Sequence, residues 1–313
     1  MAVFVTGCGL IGYWIVKGLI AQGEDVILYD IRPPKIVEQD LQKITFIKGD
    51  ILDYPRLVEV FQKYGSRING IIHTVGIIAG SQFIENPYRN ATINIIGTLN
   101  VLELARVFKI KKIVYTSTCG VYGGGEGPFI ESKTPINPTD LYTASKASSE
   151  LLGFQYMNHW KIDFRCARLY FVYGPPALPS SRSLVIKVLF GPLEGLDNLK
   201  LDSGADQQID FIYAKDAMKA VLLIYNEANP TSRIFNIGGG KAYKLSEVVS
   251  IVKKYSSAAS IEIGPGYLFP PRGSNVDISL AKEKLGYEPE YTLEEGISEY
   301  AEWLKNTKRV EDG

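Results

Sequence analysis

Short apolar runs rich in β-branched residues recur through the first half of the chain, and helix-forming stretches separate them. The runs are hydrophobic throughout instead of alternating with polar residues, which is typical of strands in a parallel sheet covered on both faces. This rhythm predicts a doubly wound α/β fold around a parallel sheet. The predicted strands are residues 2–6, 25–30, 44–50, 70–75 and 112–118, and the helices between them include residues 13–22, 55–64 and 87–108.

The pattern changes after a further predicted strand at residues 163–173, because proline and glycine clusters then interrupt shorter strands and helices. We interpret residues 1–172 as one domain and residues 173–313 mainly as a smaller α/β region. Segments of the second part near residues 210–240, at 210–213 and 234–237, are expected to return to the sheet. The chain therefore predicts a large sheet domain with a smaller region beside it.

Charge and cysteine content argue against several classes of protein. Lys plus Arg and Asp plus Glu both number 34, so the net charge is zero and no cationic surface for nucleic acid is expected. Three scattered cysteines suggest a reducing compartment, and two histidines without a CxxC pair argue against a metal site. No stretch has the character of a signal peptide or a membrane span, so we expect a cytoplasmic protein without membrane contact.

A GxGxxG motif lies between the first predicted strand and the first predicted helix, at residues 7–12. Glycines here permit a tight turn and let a dinucleotide pyrophosphate approach the helix N-terminus. Asp30 ends the second strand at the spacing where a carboxylate binds the adenosine ribose and repels a 2′-phosphate. These features predict a Rossmann fold that prefers NAD to NADP, although the nearby Arg32 leaves tolerance of NADP open. The predicted cofactor-binding residues of the loop are Gly7, Gly9, Leu10, Ile11 and Gly12.

A tyrosine and a lysine stand four residues apart on a predicted helix, at Tyr142 and Lys146. Residues at this spacing share a helix face, so both side chains can point into one cleft. A neighbouring cation lowers the pKa of a phenol, which makes the phenolate accessible as a general base. We therefore predict that Tyr142 removes a substrate hydroxyl proton and that Lys146 tunes it, with both residues next to the cofactor. The hydroxyls of residues 116–118 end the fifth strand, where ligands of open α/β sheets bind, and one of them is expected to contact the reacting oxygen.

Together with several shorter motifs, these residues resemble the extended short-chain dehydrogenases/reductases of the NAD-dependent epimerase/dehydratase group, which includes UDP-galactose 4-epimerase. The resemblance spans essentially the whole chain and implies an NAD-binding first domain followed by a substrate-binding region. It also implies that Asp50 and Ile51 lie at the adenine, that Asn94 supports proton transfer and that Thr118 is the catalytic hydroxyl. Members pair two helices, here residues 87–108 and 142–160, into a four-helix bundle, so a homodimer is expected. The shared motifs are the glycine loop and residues 49–51, 94–98, 117–123, 142–146, 173–175 and 285–287.

Departures from the family pattern concern the substrate. The Asp-Glu pair of the dehydratases is replaced by Cys119 and Gly120, so elimination of water is not expected. Phe171 stands where sugar-nucleotide enzymes carry Asn, and Ile209 stands where they carry a diphosphate-binding Arg. Arg272 matches a second arginine of that kind. The predicted substrate-binding residues are Thr118, Cys119, Phe171 and Arg272.

These replacements favour NAD-dependent oxidation of a secondary alcohol in a small sugar-, polyol- or hydroxy-acid-like substrate, with poor binding of UDP- and dTDP-sugars. The alternative is a UDP-hexose 4-epimerase with tightly bound NAD, in which the keto sugar is reduced again from its other face. A third hypothesis is a protein that senses NAD without catalysis. It is disfavoured because a sensor would not need Tyr142, Lys146 and Thr118 together.

Overall fold

The computed structural model describes residues 1–34, 42–78, 84–125, 127–181, 183–256, 260–268 and 276–311. The strands are β1 Ala2–Thr6, β2 Asp25–Asp30, β3 Ile44–Lys48, β4 Ile68–His73, β5 Lys112–Thr118, β6 Asp163–Leu169, β7 Val172–Tyr173, β8 Leu199–Leu201, β9 Gln208–Asp210, β10 Ile212–Tyr213, β11 Ile234–Ile237, β12 Ala242–Lys244 and β13 Ile261–Ile263. The α-helices are α1 Leu10–Ala21, α2 Tyr54–Tyr64, α3 Pro87–Val107, α4 Leu141–Trp160, α5 Leu184–Glu194, α6 Ala214–Asn226, α7 Leu245–Tyr255, α8 Ser279–Leu285 and α9 Leu293–Glu311.

Seven strands form one sheet in the order β11-β6-β5-β4-β1-β2-β3, and every neighbouring pair is parallel. Helices α1 and α6 pack on one face, and α2, α3 and α4 pack on the other. The predicted doubly wound α/β fold is therefore confirmed. Because the strand order reverses between β1 and β4, the carboxyl edge at these strands is where such sheets bind ligands.

The central strand β1 explains why the apolar runs do not alternate with polar residues. Val3 and Val5 face the cluster that contains residues of α1 and α6, whereas Ala2 and Phe4 face the cluster on the opposite side. All four side chains are completely buried, so a polar residue at any of them would lose its hydration. Burial on both faces therefore demands a continuously apolar sequence.

The remaining strands lie outside this sheet in three two-stranded pairs, β7 with β10, β8 with β13 and β9 with β12. A separate cluster of buried side chains fills this part and joins α5, α7 and α9. Of the segments expected to return to the sheet, residues 234–237 form β11 beside β6. The expectation for residues 210–213 was wrong, because β11 occupies that edge and residues 212–213 pair with β7 instead. The domain boundary at residue 172 stays a prediction.

Helices α3 and α4 pack on each other, yet both leave large apolar side chains on the surface. On α3, Tyr88 is 84% exposed and Ile96 is 42% exposed. On α4, Leu151 is 57% exposed and Trp160 is 46% exposed. Such surfaces often mark contacts with another protein, and the expected homodimer stays a prediction.

In the described part of the chain, none of the helices has the length and apolar character that crossing a membrane requires. The same residues contain no group of three or more His, Cys, Asp or Glu side chains arranged to hold a metal ion.

Candidate active site

The glycine loop connects β1 to α1 at the carboxyl edge of the sheet. Gly7 has a φ of +83°, a backbone conformation that favours glycine. A Cβ atom added to Gly12 would lie 2.1 Å from the Gly7 carbonyl oxygen, so glycine is needed for this approach of helix and loop. At Gly9, by contrast, a Cβ atom would meet nothing within 4 Å, because this position faces open space.

Helix α1 begins without a side-chain cap. Its N-cap residue is Gly9, no side chain accepts a bond from the first turn, and that turn contains no acidic residue. The unpaired N–H groups and the helix dipole therefore favour an anion at this end. A dinucleotide pyrophosphate fits such a cradle, and Leu10 and Ile11 line the cavity into which it opens.

The Asp30 carboxylate is oriented at the end of β2 by two backbone groups. The N–H of Cys8 donates to Oδ2 at 2.6 Å, and the N–H of Arg32 donates to Oδ1 at 2.9 Å. Each oxygen retains a further lone pair that can accept a ribose hydroxyl. The same negative charge would repel a 2′-phosphate, so the geometry agrees with a preference for NAD.

Asp50 and Ile51 follow β3 at the same edge of the sheet. Asp50 is exposed, and its Oδ1 accepts from the N–H of Leu52 at 3.0 Å. Ile51 is buried, and its carbonyl accepts from the Asn100 side chain at 2.9 Å, which ties the turn to α3. The turn that the family resemblance assigns to the adenine is thus held in place by its own polar contacts.

The Asn94 side chain on α3 forms hydrogen bonds with the backbone of Ile77, in the segment that follows β4. Its Oδ1 accepts from the N–H of Ile77 at 2.8 Å, and its Nδ2 donates to the carbonyl of the same residue at 3.0 Å. Nδ2 also donates to Ser145 Oγ at 2.9 Å, and that hydroxyl donates to the Tyr142 carbonyl at 2.7 Å. Asn94 is 1% exposed and is absent from the described lining of the cavity, so its influence on the site passes through the groups that it holds.

Lys146 extends from α4 towards the end of β5. Its Nζ donates to the Thr116 carbonyl at 2.7 Å and lies 4.5 Å from the centre of the Tyr115 ring. Burial lowers the pKa of Lys146 to about 8, because the charged form loses its hydration. A Cβ atom on Gly76 would lie 3.2 Å from Nζ, so the segment after β4 approaches the ammonium closely.

The start of α4 fixes the position of Tyr142. Asp140 is the N-cap, and its Oδ1 accepts from the N–H of Thr143 at 2.8 Å. The Thr143 hydroxyl accepts from the Asp140 N–H in return, which completes a capping box. Tyr142 therefore lies in the first helical turn, one turn before Lys146.

One cavity of about 460 Å³ lies between the glycine loop, the end of β5 and the start of α4. This volume is ordinary for a small-molecule site. Residues of the glycine loop from Gly9 to Gly12 form part of its wall, and Thr118, Tyr142 and Lys146 form another part. Thr118 Oγ1 accepts from the N–H of Gly120 at 3.1 Å, which directs its own proton elsewhere. The structure thus brings the predicted proton-transfer residues Thr118, Tyr142 and Lys146 together beside the predicted cofactor loop.

Cys119 also borders the cavity, but its thiol points into the core. The residue is 1% exposed, and its Sγ donates to the Arg168 carbonyl at 3.0 Å. Burial raises the pKa of this thiol well above its usual range, so the group stays protonated. The predicted substrate contact at Cys119 is therefore restricted to its backbone.

The two apolar replacements, Phe171 and Ile209, lie in different surroundings. Phe171 lines the cavity and packs edge-on against Phe211, with ring centres 5.9 Å apart. Ile209 is completely buried in the cluster that includes α5, α7 and α9, and it is absent from the described cavity lining. The Ile209 side chain therefore makes no direct contact with the described cavity. Arg272, the other predicted substrate contact, lies outside the described residues.

The sequence reasoning missed a buried ion pair between α4 and β6. Glu150 is 0% exposed and Arg168 is 2% exposed, and their side chains form a salt bridge at 2.6 Å. In the sequence, the pair could have been suspected from Glu150, which follows Lys146 by four residues on the same helix. Arg168 comes from β6, so only the fold brings it to Glu150.

Comparisons with known proteins identify the family. The model of the NAD dependent epimerase/dehydratase family matches residues 3–238. A UDP-glucuronate 4-epimerase from Thermodesulfobacterium geofontis is 29% identical over 315 residues, which cover 96% of this chain and 95% of that protein.

Solved structures give the same result. The UDP-glucose 4-epimerase of Thermotoga maritima with UDP-glucose has a TM-score of 0.86 and 26% identity, with 98% of this chain and 100% of that chain covered. The UDP-glucose 4-epimerase of Thermus thermophilus in complex with NAD has a TM-score of 0.84 and 25% identity, with 97% and 99% covered. The matched family segment contains the uncapped start of α1 as well as Asp30, Tyr142 and Lys146. The chain therefore belongs to the NAD dependent epimerase/dehydratase family, and NAD is its cofactor.

Proposed function

We propose that this protein is a UDP-hexose 4-epimerase that keeps its NAD through the whole reaction. The observation that carries the proposal is the single cavity that joins the uncapped N-terminus of α1 to Thr118, Tyr142 and Lys146. Relatives named as UDP-glucuronate and UDP-glucose 4-epimerases match nearly the full length of the chain and support the same substrate class.

The glycine loop and Asp30 would hold NAD, which would supply a reversible hydride acceptor for the substrate carbon. Tyr142 lies in the cavity wall and would receive the hydroxyl proton as the carbon is oxidised and return it on reduction. Lys146, one turn further along α4, would stabilise the phenolate by its charge. Thr118 would donate its hydroxyl proton to the reacting oxygen, since its Oγ1 already accepts from Gly120.

The residues after Thr118 support epimerisation rather than elimination of water. Cys119 is buried with its thiol bonded to a carbonyl, and Gly120 has no side chain, so neither can act as a second acid. Among the described lining residues the one carboxylate is Asp140, which caps α4. Epimerisation needs no further acid, because one proton carrier serves both directions of the hydride transfer.

The main expectation from the sequence was a dehydrogenase for a small substrate. It rested on Phe171 and Ile209 as losses of polar contacts to a sugar nucleotide. Phe171 lines the cavity, whereas Ile209 is buried in the core and offers no polar contact. The relatives favour the alternative that the sequence left open, the UDP-hexose epimerase.

Isotope retention separates these reactions. We would incubate the NAD-loaded protein with UDP-glucose deuterated at C4, and in parallel with UDP-glucuronate, and analyse the products by mass spectrometry and NMR. An epimerase converts at least one of these substrates to its C4 epimer, retains the deuterium at C4 of labelled UDP-glucose if it turns over, and accumulates no free NADH. Tyr142→Phe provides the control without the proton acceptor. Release of a ketone together with NADH would identify a dehydrogenase, and failure to turn over either sugar nucleotide would refute the proposal.

A further inference from the structure

Glu150 and Arg168 form an ion pair in the interior of the protein. The Nε and Nη2 atoms of Arg168 donate to the two carboxylate oxygens of Glu150 at 3.0 and 2.6 Å. Its Nη1 donates to the Tyr122 hydroxyl at 2.7 Å, which in turn donates to Asn236 Oδ1 at 2.7 Å. Every guanidinium nitrogen therefore has a partner, and the pair is held in one arrangement.

This pair adjoins Lys146 from two directions. Glu150 follows Lys146 by four residues on α4, so the two side chains lie on the same helix face. Arg168 on β6 pairs in register with Ser117 on β5, next to the Thr116 carbonyl that Lys146 bonds. The carboxylate thus stands close to the buried ammonium and is simultaneously bound by a second cation.

The other ionisable groups around Lys146 supply no compensating negative charge. Burial lowers the pKa of His73 to about 3, so its ring is neutral. Burial also raises the pKa of the Cys166 thiol and of the Tyr115 phenol well above their usual ranges. The ionisable groups that face Lys146 are Glu150 on α4, Tyr115 on β5, Cys166 on β6 and His73 on β4. Tyr142 precedes Lys146 by one helical turn, and Arg168 contacts Glu150. Glu150 is the one carboxylate in this described set.

We propose that Glu150 is a positioning residue whose buried carboxylate keeps Lys146 protonated, while Arg168 holds that carboxylate away from a direct pair with the lysine. Burial alone disfavours the ammonium, and the Glu150 charge opposes that effect. Without Arg168, the carboxylate would be free to draw the ammonium away from the Thr116 carbonyl. The inference rests on the proposed function only in what it says about turnover, because the protonation of Lys146 is a property of the folded chain.

The charge on Lys146 can be measured without any substrate. We would label lysine at Cε with ¹³C, load the protein with NAD, assign the Lys146 signal with the Lys146→Met variant and titrate it by NMR. Glu150→Gln keeps the shape of the side chain and removes its charge, so the pKa of Lys146 falls by about one unit. Glu150→Asp keeps the charge and disturbs the geometry, so the pKa changes by less than about 0.3 unit. Equal shifts in both variants, or a larger one in Glu150→Asp, would overturn the inference.

A second variant keeps the test valid if Glu150→Gln does not fold because Arg168 is left unpaired. The double variant Glu150→Gln/Arg168→Met removes both buried charges together, an exchange that proteins commonly tolerate. We expect its Lys146 pKa to lie below that of the unmodified protein, since the nearer charge on the same helix is lost. An unchanged pKa would show that the pair is purely structural.

Turnover gives an independent readout. In Glu150→Gln the alkaline limb of the kcat profile with a UDP-hexose moves to lower pH by about one unit, with KM and NAD affinity unchanged. A protein that fails to epimerise any UDP-hexose refutes the proposed function and leaves the NMR titration as the test of the pair. An active epimerase whose pH profile is not moved by Glu150→Gln refutes the role of the pair instead.

Discussion

The seven-stranded sheet and the part built on the short strand pairs hold their functional side chains by different means. In the sheet, parallel register brings Thr6 on β1 opposite His73 on β4, and their side chains bond at 2.6 Å. In the other part the strands have two or three residues, and aromatic packing organises the interior. Tyr173 stacks on Phe190 with ring centres 5.0 Å apart, and Phe211 packs against both rings.

This difference predicts two kinds of response to substitution. Around the sheet edge, backbone groups and short hydrogen bonds set the geometry, so a single atom in the wrong place should affect cofactor binding or proton transfer. In the aromatic part, several rings share the packing, so a substitution should change the shape of the cavity or the stability by small amounts. The following experiments, ordered by expected effect, can sharpen or break this contrast.

Replacing Tyr142 by Phe should give the largest effect. The ring remains but the proton acceptor is lost, so turnover should fall about 100-fold or more, with NAD affinity nearly unchanged. Tyr156→Phe is the matched control on the same helix. The Tyr156 hydroxyl donates to Glu103 Oε2 at 3.0 Å, and Tyr156 is not among the described residues that line the cavity. Near-normal turnover in Tyr142→Phe would exclude this residue as the acid/base group.

Substitution of two glycines of the loop should weaken NAD binding in both cases but should lower stability by different amounts. In Gly12→Ala the new Cβ atom would lie 2.1 Å from a backbone oxygen, so helix and loop must separate. We expect the free energy of unfolding to fall by about 1–3 kcal/mol and NAD affinity to fall at least ~10-fold. In Gly9→Ala the Cβ atom has room in the protein but enters the space for the dinucleotide. We expect a stability change of about 1 kcal/mol or less, again with ~10-fold weaker NAD binding.

Urea unfolding and calorimetric titration with NAD would measure both glycine variants. An unchanged NAD affinity in Gly9→Ala would mean that the cofactor does not pass over this position. Equal losses of stability in both variants would mean that the contact between Gly12 and Gly7 does not define the loop.

Asp30→Asn should reduce the preference for NAD over NADP by roughly tenfold, because a charge that repels the 2′-phosphate is removed. The amide oxygen can still accept one of the two backbone bonds from Cys8 and Arg32, so the loop should keep its shape. Titration of both cofactors by calorimetry tests this. Equal affinity for NAD and NADP in the unmodified protein would contradict the assigned role of Asp30.

The smallest effects should come from substitutions of Phe171 and Ile209. The first should change KM, and the second should change stability. Phe171→Ala removes ring area from the cavity wall, and we expect KM for a UDP-hexose to rise about fivefold, or roughly 1 kcal/mol. Ile209→Val removes one buried methylene, so unfolding should be easier by about 0.5–1.5 kcal/mol with KM unchanged. A change of KM in Ile209→Val would show that the core of this part is coupled to the substrate.

The local motifs of the sheet edge were predictable because each follows from spacing along the chain. The glycine pattern required by the φ of Gly7 and by the approach of Gly12 is contained in six residues. The pairing of Tyr142 with Lys146 follows from one helical turn, and the capping box at Asp140 defines where that turn begins. Interactions within such short segments need no knowledge of the rest of the fold.

The surroundings of these motifs were decided by contacts between distant segments. Residues 210–213 and 234–237 were both expected to return to the sheet, but only residues 234–237 pair with β6, and residues 212–213 pair with β7 instead. Ile209 and Phe171 looked equivalent in the sequence, yet packing buries one of them and leaves the other on the cavity.

The sequence by itself therefore determined the doubly wound α/β fold, the glycine loop and the proposed acid/base pair. Only the tertiary structure decided which apolar residues face the cavity, that the Cys119 thiol is directed into the core, and that Arg168 meets Glu150 beside Lys146. The physical reason is that the conformation of a tight loop and the spacing of side chains along a helix depend mainly on near neighbours in the chain. Burial and buried charge depend instead on every segment that the fold packs around a residue.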